Sequence, residues 1–230
     1  MAKKLIIGLS GKKQSGKNTV CDCLEELLFD PYQPIHVQVM SFADTLKQKI
    51  CKDVLGLTEE QVNGTDEQKN TPTIYKWKNL PYEIRQNNNL GIEYAPNGEI
   101  CNYIKPDGYM TAREIMQVVG TDIFRNYFSD KIWVNATRRA IQKSKAQVIL
   151  ISDVRFPSEV ESLLLEGAYI IRLLRDTGIK DAHSSENALD DYDFSKERCI
   201  IFDNRDLDIE QQKQKIIGTF SFLTEKIRNK

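Results

Sequence analysis

Gly11-Lys12-Lys13-Gln14-Ser15-Gly16-Lys17-Asn18-Thr19 is the stretch on which the fold turns. Just before it, Lys4 to Leu9 is a short apolar run rich in β-branched residues, which predicts a buried strand. Just after it, Val20, Leu24, Leu27 and Leu28 share one helical face, and Pro31 and Pro34 stop that helix. Strand, glycine-bounded loop and helix, in that order, are the setting in which G-x-x-x-x-G-K holds phosphate. Glycines let successive N–H groups face one anion, and the helix start adds unsatisfied donors and the positive end of its dipole. Lys17 reaches the β- and γ-phosphates of a bound nucleotide. A bare match arises by chance in roughly one chain of this length in fifteen, and the flanking strand and helix lower that figure.

Outward from the loop, strands and helices alternate. Ile35 to Met40 predicts a second strand. Ser41 to Leu55 predicts a helix with Phe42, Leu46, Ile50 and Val54 on one face. Thr111 to Val119 and Phe124 to Ser144 read as helical. Gln147 to Ser152 is a third strand, Pro157 to Glu166 a helix closed by Gly167, Tyr169 to Leu174 a fourth strand, Cys199 to Phe202 a fifth, and Ile209 to Ile227 a closing helix. The fold class this predicts is α/β: a P-loop NTPase with a five-stranded, mostly parallel sheet flanked by helices. Residues 56–110 carry four of the seven prolines and the run Asn87-Asn88-Asn89, with little helical period. They read as an insert or lid within a single domain spanning 1–230, a surface linker being the plainer alternative. Inside them, Ile92 to Ile104 reads as a hairpin around Pro96-Asn97-Gly98.

Composition narrows the function. The chain has 230 residues, 32 basic and 33 acidic, for a formal net charge of -1. That balance leaves no electrostatic footprint for duplex DNA, so no direct nucleic-acid partner is expected. No apolar run approaches the roughly 18 residues of a membrane span. The apolar part of the N-terminus, Leu5 to Leu9, is too short for a signal peptide, and the expected location is cytoplasmic. Five scattered cysteines (21, 23, 51, 101 and 199) read as reduced thiols, and with His36 and His183 alone beside them a zinc site is not expected.

A second constellation follows the third strand: Ser152-Asp153-Val154-Arg155-Phe156-Pro157. Ligands of parallel α/β sheets gather at the carboxyl ends of strands. Asp153 there holds Mg²⁺, orients a phosphate or receives a sugar hydroxyl, and Arg155 neutralises transferring phosphoryl oxygens. The plainer alternative is a helix N-cap with a surface arginine. Glu159 lies one turn on, as a ligand or as a first-turn helix acid. The loop lysine is followed by Asn18 and Thr19 where Ser or Thr would hold Mg²⁺; either the Asn18 amide binds the ion, directly or through water, or Thr19 serves a phosphate and the ion is held elsewhere. Lys47 and Arg113 read as flanking charges. Trp133 reads as core or as a base-stacking ring.

These segments together resemble the deoxynucleoside monophosphate kinases of tailed bacteriophages. The matching pieces are residues 11–19, Phe-Ala-Asp-Thr-Leu-Lys (42–47), Arg-Glu-Ile-Met-Gln-Val-Val-Gly-Thr-Asp (113–122), Trp133-Val134, Ser-Asp-Val-Arg-Phe-Pro-Ser-Glu (152–159) and His-Ser-Ser-Glu (183–186). The resemblance implies a kinase that uses ATP and Mg²⁺ to phosphorylate a deoxynucleoside monophosphate, in the host cytoplasm if phage-encoded. It implies that Gln14, Ser15, Gly16, Lys17, Asn18 and Thr19 hold the ATP phosphates, with Arg175 on the donor side. Lys13, Lys47, Arg113, Gly120, Thr121, Trp133, Asp153, Arg155 and Glu159 would surround the acceptor, with Lys69 touching its phosphate. Lys17, Arg155, Asp153 and Arg113 would carry catalysis, and Asn18 and Asp153 the metal. It also suggests a homodimer. Where the family often has Asp, this chain has Asn18, which removes a charge near the metal. The alternatives are another small-molecule P-loop kinase, such as a dephospho-coenzyme A kinase-like enzyme with a hydroxyl acceptor, and a nucleotide-binding module without transfer activity.

Overall fold

The computed structural model describes residues 4–29, 32, 35–87, 92–94, 100–103, 108–175 and 187–228. Two compact units divide the chain: residues 1–42 with 134–230, and residues 43–133.

The first unit is the parallel sheet. Its strands are β1 (Leu5–Ser10), β2 (Val37–Met40), β7 (Val148–Val154), β8 (Tyr169–Leu173) and β9 (Cys199–Phe202), in the order β2-β7-β1-β8-β9. Every neighbouring pair is parallel, with Ile7 opposite Leu150 on one side and Tyr169 on the other. Near-continuous apolar strands are what a sheet covered on both faces demands. All six residues of β1 are buried. One face packs on α1 (Lys17–Leu28) and α8 (Ile209–Arg228), where Leu24, Leu28, Ile216, Phe220 and Leu223 meet Ile7, Leu9, Leu150, Ile171 and Phe202. The helix α7 (Pro157–Leu165) packs against β8 and β1. Because all five strands run the same way, the segments after β1, β2, β7, β8 and β9 emerge at one edge.

The second unit holds short elements. Helices α2 (Glu59–Asn63) and α3 (Asp66–Lys69) each start with a reciprocal cap, Thr58 with Gln61 and Thr65 with Gln68. Strand β3 (Pro72–Lys76) pairs antiparallel with β6 (Tyr109–Thr111). Helix α4 (Tyr82–Asn87) follows β3, and α5 (Ala112–Gln117) follows β6, opened by the Thr111–Glu114 capping box. Leu57, Val62, Trp77, Met110, Ala112, Ile115 and Val118 are buried. The expected hairpin forms from β4 (Ile92–Tyr94) and β5 (Ile100–Tyr103); its turn, 95–99, lies outside the described residues.

Two helical expectations are corrected. Leu46–Val54 is wound as a π-helix, so residues every fourth position drift off one face, and Val54, expected to be buried, is 71% exposed. The helix expected from Phe124 to Ser144 is two elements, a π-helical segment Val118–Phe128 and α6 (Ile132–Lys143). Extended backbone at Ser129 breaks them apart, and the Arg125 guanidinium fixes the break by donating to the Asp130 carbonyl at 2.9 Å.

Candidate active site

The phosphate loop is built from backbone. Gln14 (φ 59°) and Gly16 (φ 92°) take left-handed conformations, which curl the chain between β1 and α1. Gly16 favours glycine by its φ, and a Cβ there would lie 3.1 Å from Gln212 Nε2. Ser15 N–H closes the turn onto the Lys12 carbonyl at 3.1 Å, and Ser15 Oγ is buried without a partner among the described residues. The Lys17 ammonium spans the loop, donating to the Gly11 and Lys12 carbonyls at 2.7 Å each. Burial pushes its pKa down to about 8, with Arg155 and Arg172 adding to the shift and the Asp153 charge opposing it. Asn18 is exposed and Thr19 half-buried on the first turn of α1.

Adjacent strands bring the second constellation to the same edge. β1 and β7 are neighbours, so the loop after β1 and Asp153-Val154-Arg155 leave the sheet side by side. Asp153 Oδ1 accepts the Phe42 N–H at 2.7 Å, and Ser41 Oγ donates to Oδ2 at 2.8 Å. Glu159, expected beside the acceptor, is buried; its Oε2 accepts the N–H groups of Arg155 at 2.7 Å and Phe156 at 3.1 Å. The reason is local: a carboxylate three residues into a helix reaches back to the orphan donors at its start.

Arg175, just past β8, donates from Nε to the Asn204 carbonyl at 3.2 Å and from Nη2 to the Leu207 carbonyl at 2.5 Å. Arg172, on β8, donates to Ser10 Oγ at 2.9 Å and lies 3.7 Å from Asp190, which also pairs with Lys12 at 2.5 Å. Lys13 is half-buried in the loop.

In the second unit, Arg113 reaches α3. Its Nη2 donates to Asp66 and its Nε to Asn70 Oδ1 at 3.1 Å, the two residues that flank Lys69 on that segment. Gly120 is buried, and a Cβ there would meet Leu46 Cδ2 at 2.6 Å. Trp133 belongs to the core: it is 5% exposed, its indole N–H donates to the Gly120 carbonyl at 2.8 Å, and its ring centroid is 5.3 Å from that of Phe124. An indole so enclosed packs as core, the first of the two readings left open by the sequence. Lys47 and Thr121 are half-buried. The motif residues 183–186 lie outside the described residues.

Sequence reasoning missed Arg172, Ser41, Asn204 and Gln212. Arg172 left a signal, a single charge inside the apolar strand Tyr169-Ile170-Ile171-Arg172-Leu173. The others left none, because their partners lie far along the chain. Among the described residues no group of three or more His, Cys, Asp or Glu is placed to hold a metal, and no helix is long and apolar enough to cross a membrane.

A phosphate loop at the carboxyl edge of this five-stranded parallel sheet defines a P-loop nucleotide-binding protein. Residues 71–216 match the model of the deoxynucleotide monophosphate kinase family, and the chain belongs to that family. A protein of Acanthamoeba polyphaga mimivirus bearing the name deoxynucleotide monophosphate kinase is 32% identical over 184 residues, which cover 79% of this chain and 80% of that one. The deoxynucleoside-5′-monophosphate kinase of Escherichia phage T5 is 25% identical over 183 residues, 69% and 71% of the two chains. A solved gluconokinase of Sinorhizobium meliloti matches 98% of this chain and 96% of its own with a TM-score of 0.44 at 11% identity, too distant a likeness to carry an argument.

Proposed function

We propose that this chain transfers the γ-phosphoryl group of ATP to a deoxynucleoside 5′-monophosphate, giving the diphosphate. The observation that carries this is the Lys17-spanned phosphate loop emerging beside Asp153–Arg155 in a chain of this family. Residues 14–19 hold the triphosphate, and Lys17 and Arg155 neutralise charge on the moving phosphoryl oxygens. Arg113, Lys69, Lys47 and Lys13 supply acceptor contacts. Gly120 and Thr121 shape the acceptor wall, with Trp133 fixing Gly120 from behind. Glu159 acts through the Arg155 backbone that it holds, and Arg175 serves the donor side.

The donor set fits Mg²⁺. That ion keeps several waters and takes one or two protein oxygens together with substrate phosphates. Asn18 offers an exposed amide oxygen. Asp153, whose two oxygens accept Ser41 and Phe42, would be the second oxygen donor. When bound, Mg²⁺ supplies charge neutralisation between the phosphates.

The acceptor phosphate is ionised at neutral pH and needs no strong base, so the work is positioning and charge neutralisation. Asp153, committed to Ser41 and Phe42, is better placed for that work than for taking a proton from a hydroxyl acceptor. The near-zero net charge favours a small acceptor over nucleic acid. A cytoplasmic homodimer completes the reading; sedimentation velocity tests the dimer.

The test is coupled ADP release with Mg²⁺, ATP and a panel of dGMP, dTMP, dCMP, dAMP, GMP and a coenzyme A precursor. Turnover with deoxynucleoside monophosphates supports the proposal. Turnover only with a hydroxyl acceptor overturns the acceptor assignment, and ATP binding without acceptor-dependent turnover makes the chain a nucleotide-binding module.

A further inference from the structure

One buried amide joins the segments that follow β1, β8 and β9. Asn204 lies two residues past β9 and has no exposed surface. Its Nδ2 donates to the Ser15 carbonyl at 2.8 Å, and its Oδ1 accepts the Arg175 N–H at 2.9 Å. A donor on one side and an acceptor on the other define which way the amide points. Arg175 closes the network by donating from Nη2 to Gln212 Oε1 at 3.2 Å. Gln212, 2% exposed, stands against Gly16, and its Oε1 is also 3.5 Å from Asn204 Nδ2. Burying two amides here is costly unless they are hydrogen-bonded, so their placement is specific.

What the placement sets is the direction of one peptide. A trans peptide holds its C=O and N–H antiparallel. Tying the Ser15 carbonyl to Asn204 therefore sends the Gly16 N–H the opposite way. In a phosphate loop successive N–H groups must converge on the anion, and a carbonyl that turned inward would present a lone pair to it. We propose that Asn204 is a positioning residue for the donor nucleotide: it fixes the Ser15–Gly16 peptide so that the Gly16 N–H serves the phosphates, while Arg175 and Gln212 hold Asn204 in place. This rests on the reading of residues 14–19 as the ATP phosphate site.

Asn204→Leu tests it, because it keeps the approximate volume and removes the donor facing Ser15 without adding a charge behind the anion site. Calorimetric titrations use ADP and inorganic tripolyphosphate, the second having no base or sugar. The expected result is a loss of about tenfold or more in affinity for both probes, from one buried carbonyl freed of its donor. KM for ATP rises in proportion, while KM for the deoxynucleoside monophosphate stays within about twofold. Gln212→Leu removes the brace but not the bond to Ser15; it gives a smaller loss of the same sign and replaces Asn204→Leu if that variant does not fold. Unchanged affinity for both probes in the folded variant, with a lower melting temperature alone, overturns the proposal. Failure of the wild-type protein to bind either probe overturns it together with the phosphate-site reading. Tight tripolyphosphate binding without any acceptor turnover overturns the kinase reading while leaving the Asn204 test intact.

Discussion

The carboxylate of Asp153 accepts the backbone N–H of Phe42 at 2.7 Å, at the point where the chain ends its first pass through the parallel sheet and continues into residues 43–133. Ser41 Oγ holds the other oxygen at 2.8 Å. The same carboxylate is near enough to Lys17 to oppose the fall in its pKa. Asp153 thus ties the carboxyl end of β7 to the segment after β2 while shaping the charge of the phosphate loop.

Asp153→Asn keeps one oxygen for Phe42 and removes the charge. Losing the charge assistance of these bonds costs about 1 kcal/mol, read as a lower urea midpoint. The Lys17 pKa falls further, because the charge favouring its ammonium form is gone, and the alkaline limb of ATP binding moves to lower pH. An unmoved limb would show that Asp153 does not act on Lys17.

Lys17 sets that limb. Its ammonium is favoured by a bound triphosphate and disfavoured by burial, which holds its pKa near about 8 in the free protein. Affinity for ATP is therefore full below that pH and falls above it, by at most about tenfold per pH unit. Above it, binding takes up a proton, so calorimetric enthalpies should depend on the ionisation enthalpy of the buffer. Lys17→Met should abolish the limb and depress turnover severely with the fold intact; near-normal turnover would sink its assigned role.

Glu159 makes a prediction about Arg155. Glu159→Ala leaves the N–H groups of Arg155 and Phe156 without their acceptor at the start of α7, at a cost of about 1–3 kcal/mol. Because Arg155 loses its anchor, kcat falls more than KM for either substrate. Glu159→Gln retains an acceptor oxygen and should recover most of the stability. If KM for the acceptor alone rises, Glu159 touches the acceptor itself.

Arg113 separates binding from stability. Its pair with Asp66 is partly exposed, at 22% and 30% of the two side chains. Such pairs contribute about 0–1 kcal/mol, so Arg113→Gln should barely move the denaturation midpoint. If Arg113 binds the acceptor phosphate, the same change raises KM for the deoxynucleoside monophosphate about tenfold or more and leaves KM for ATP alone. A large stability loss with an unchanged acceptor KM would make it a structural residue.

What was legible along the chain was local. The run Leu5–Ser10, the glycine-bounded loop and the face Val20-Leu24-Leu28 carry their structure in nearest-neighbour sterics and helical period, and each forms where periodicity puts it. The strands of the sheet were equally readable, because buried parallel strands must be short apolar runs. Where period gave way to winding, as in Leu46–Val54, the expectation failed: i→i+5 turns do not keep the 3.6-residue period from which the face was read.

Only the tertiary structure decided which distant polar groups meet. Asn204 and Ser15 are 189 positions apart, and Asp153 and Ser41 are 112 apart; both bonds exist because the strand order β2-β7-β1-β8-β9 brings those carboxyl ends to one edge. Strand order is a property of how apolar faces are shared across the whole sheet, and no local pattern records it. The sequence by itself therefore determined that a phosphate loop would form and which charges were candidates to serve it. The packed sheet decided that Asp153 would meet Ser41 and Phe42 and that a buried asparagine would bond to the Ser15 carbonyl, because burial leaves a polar group no partner but the one the fold brings to it.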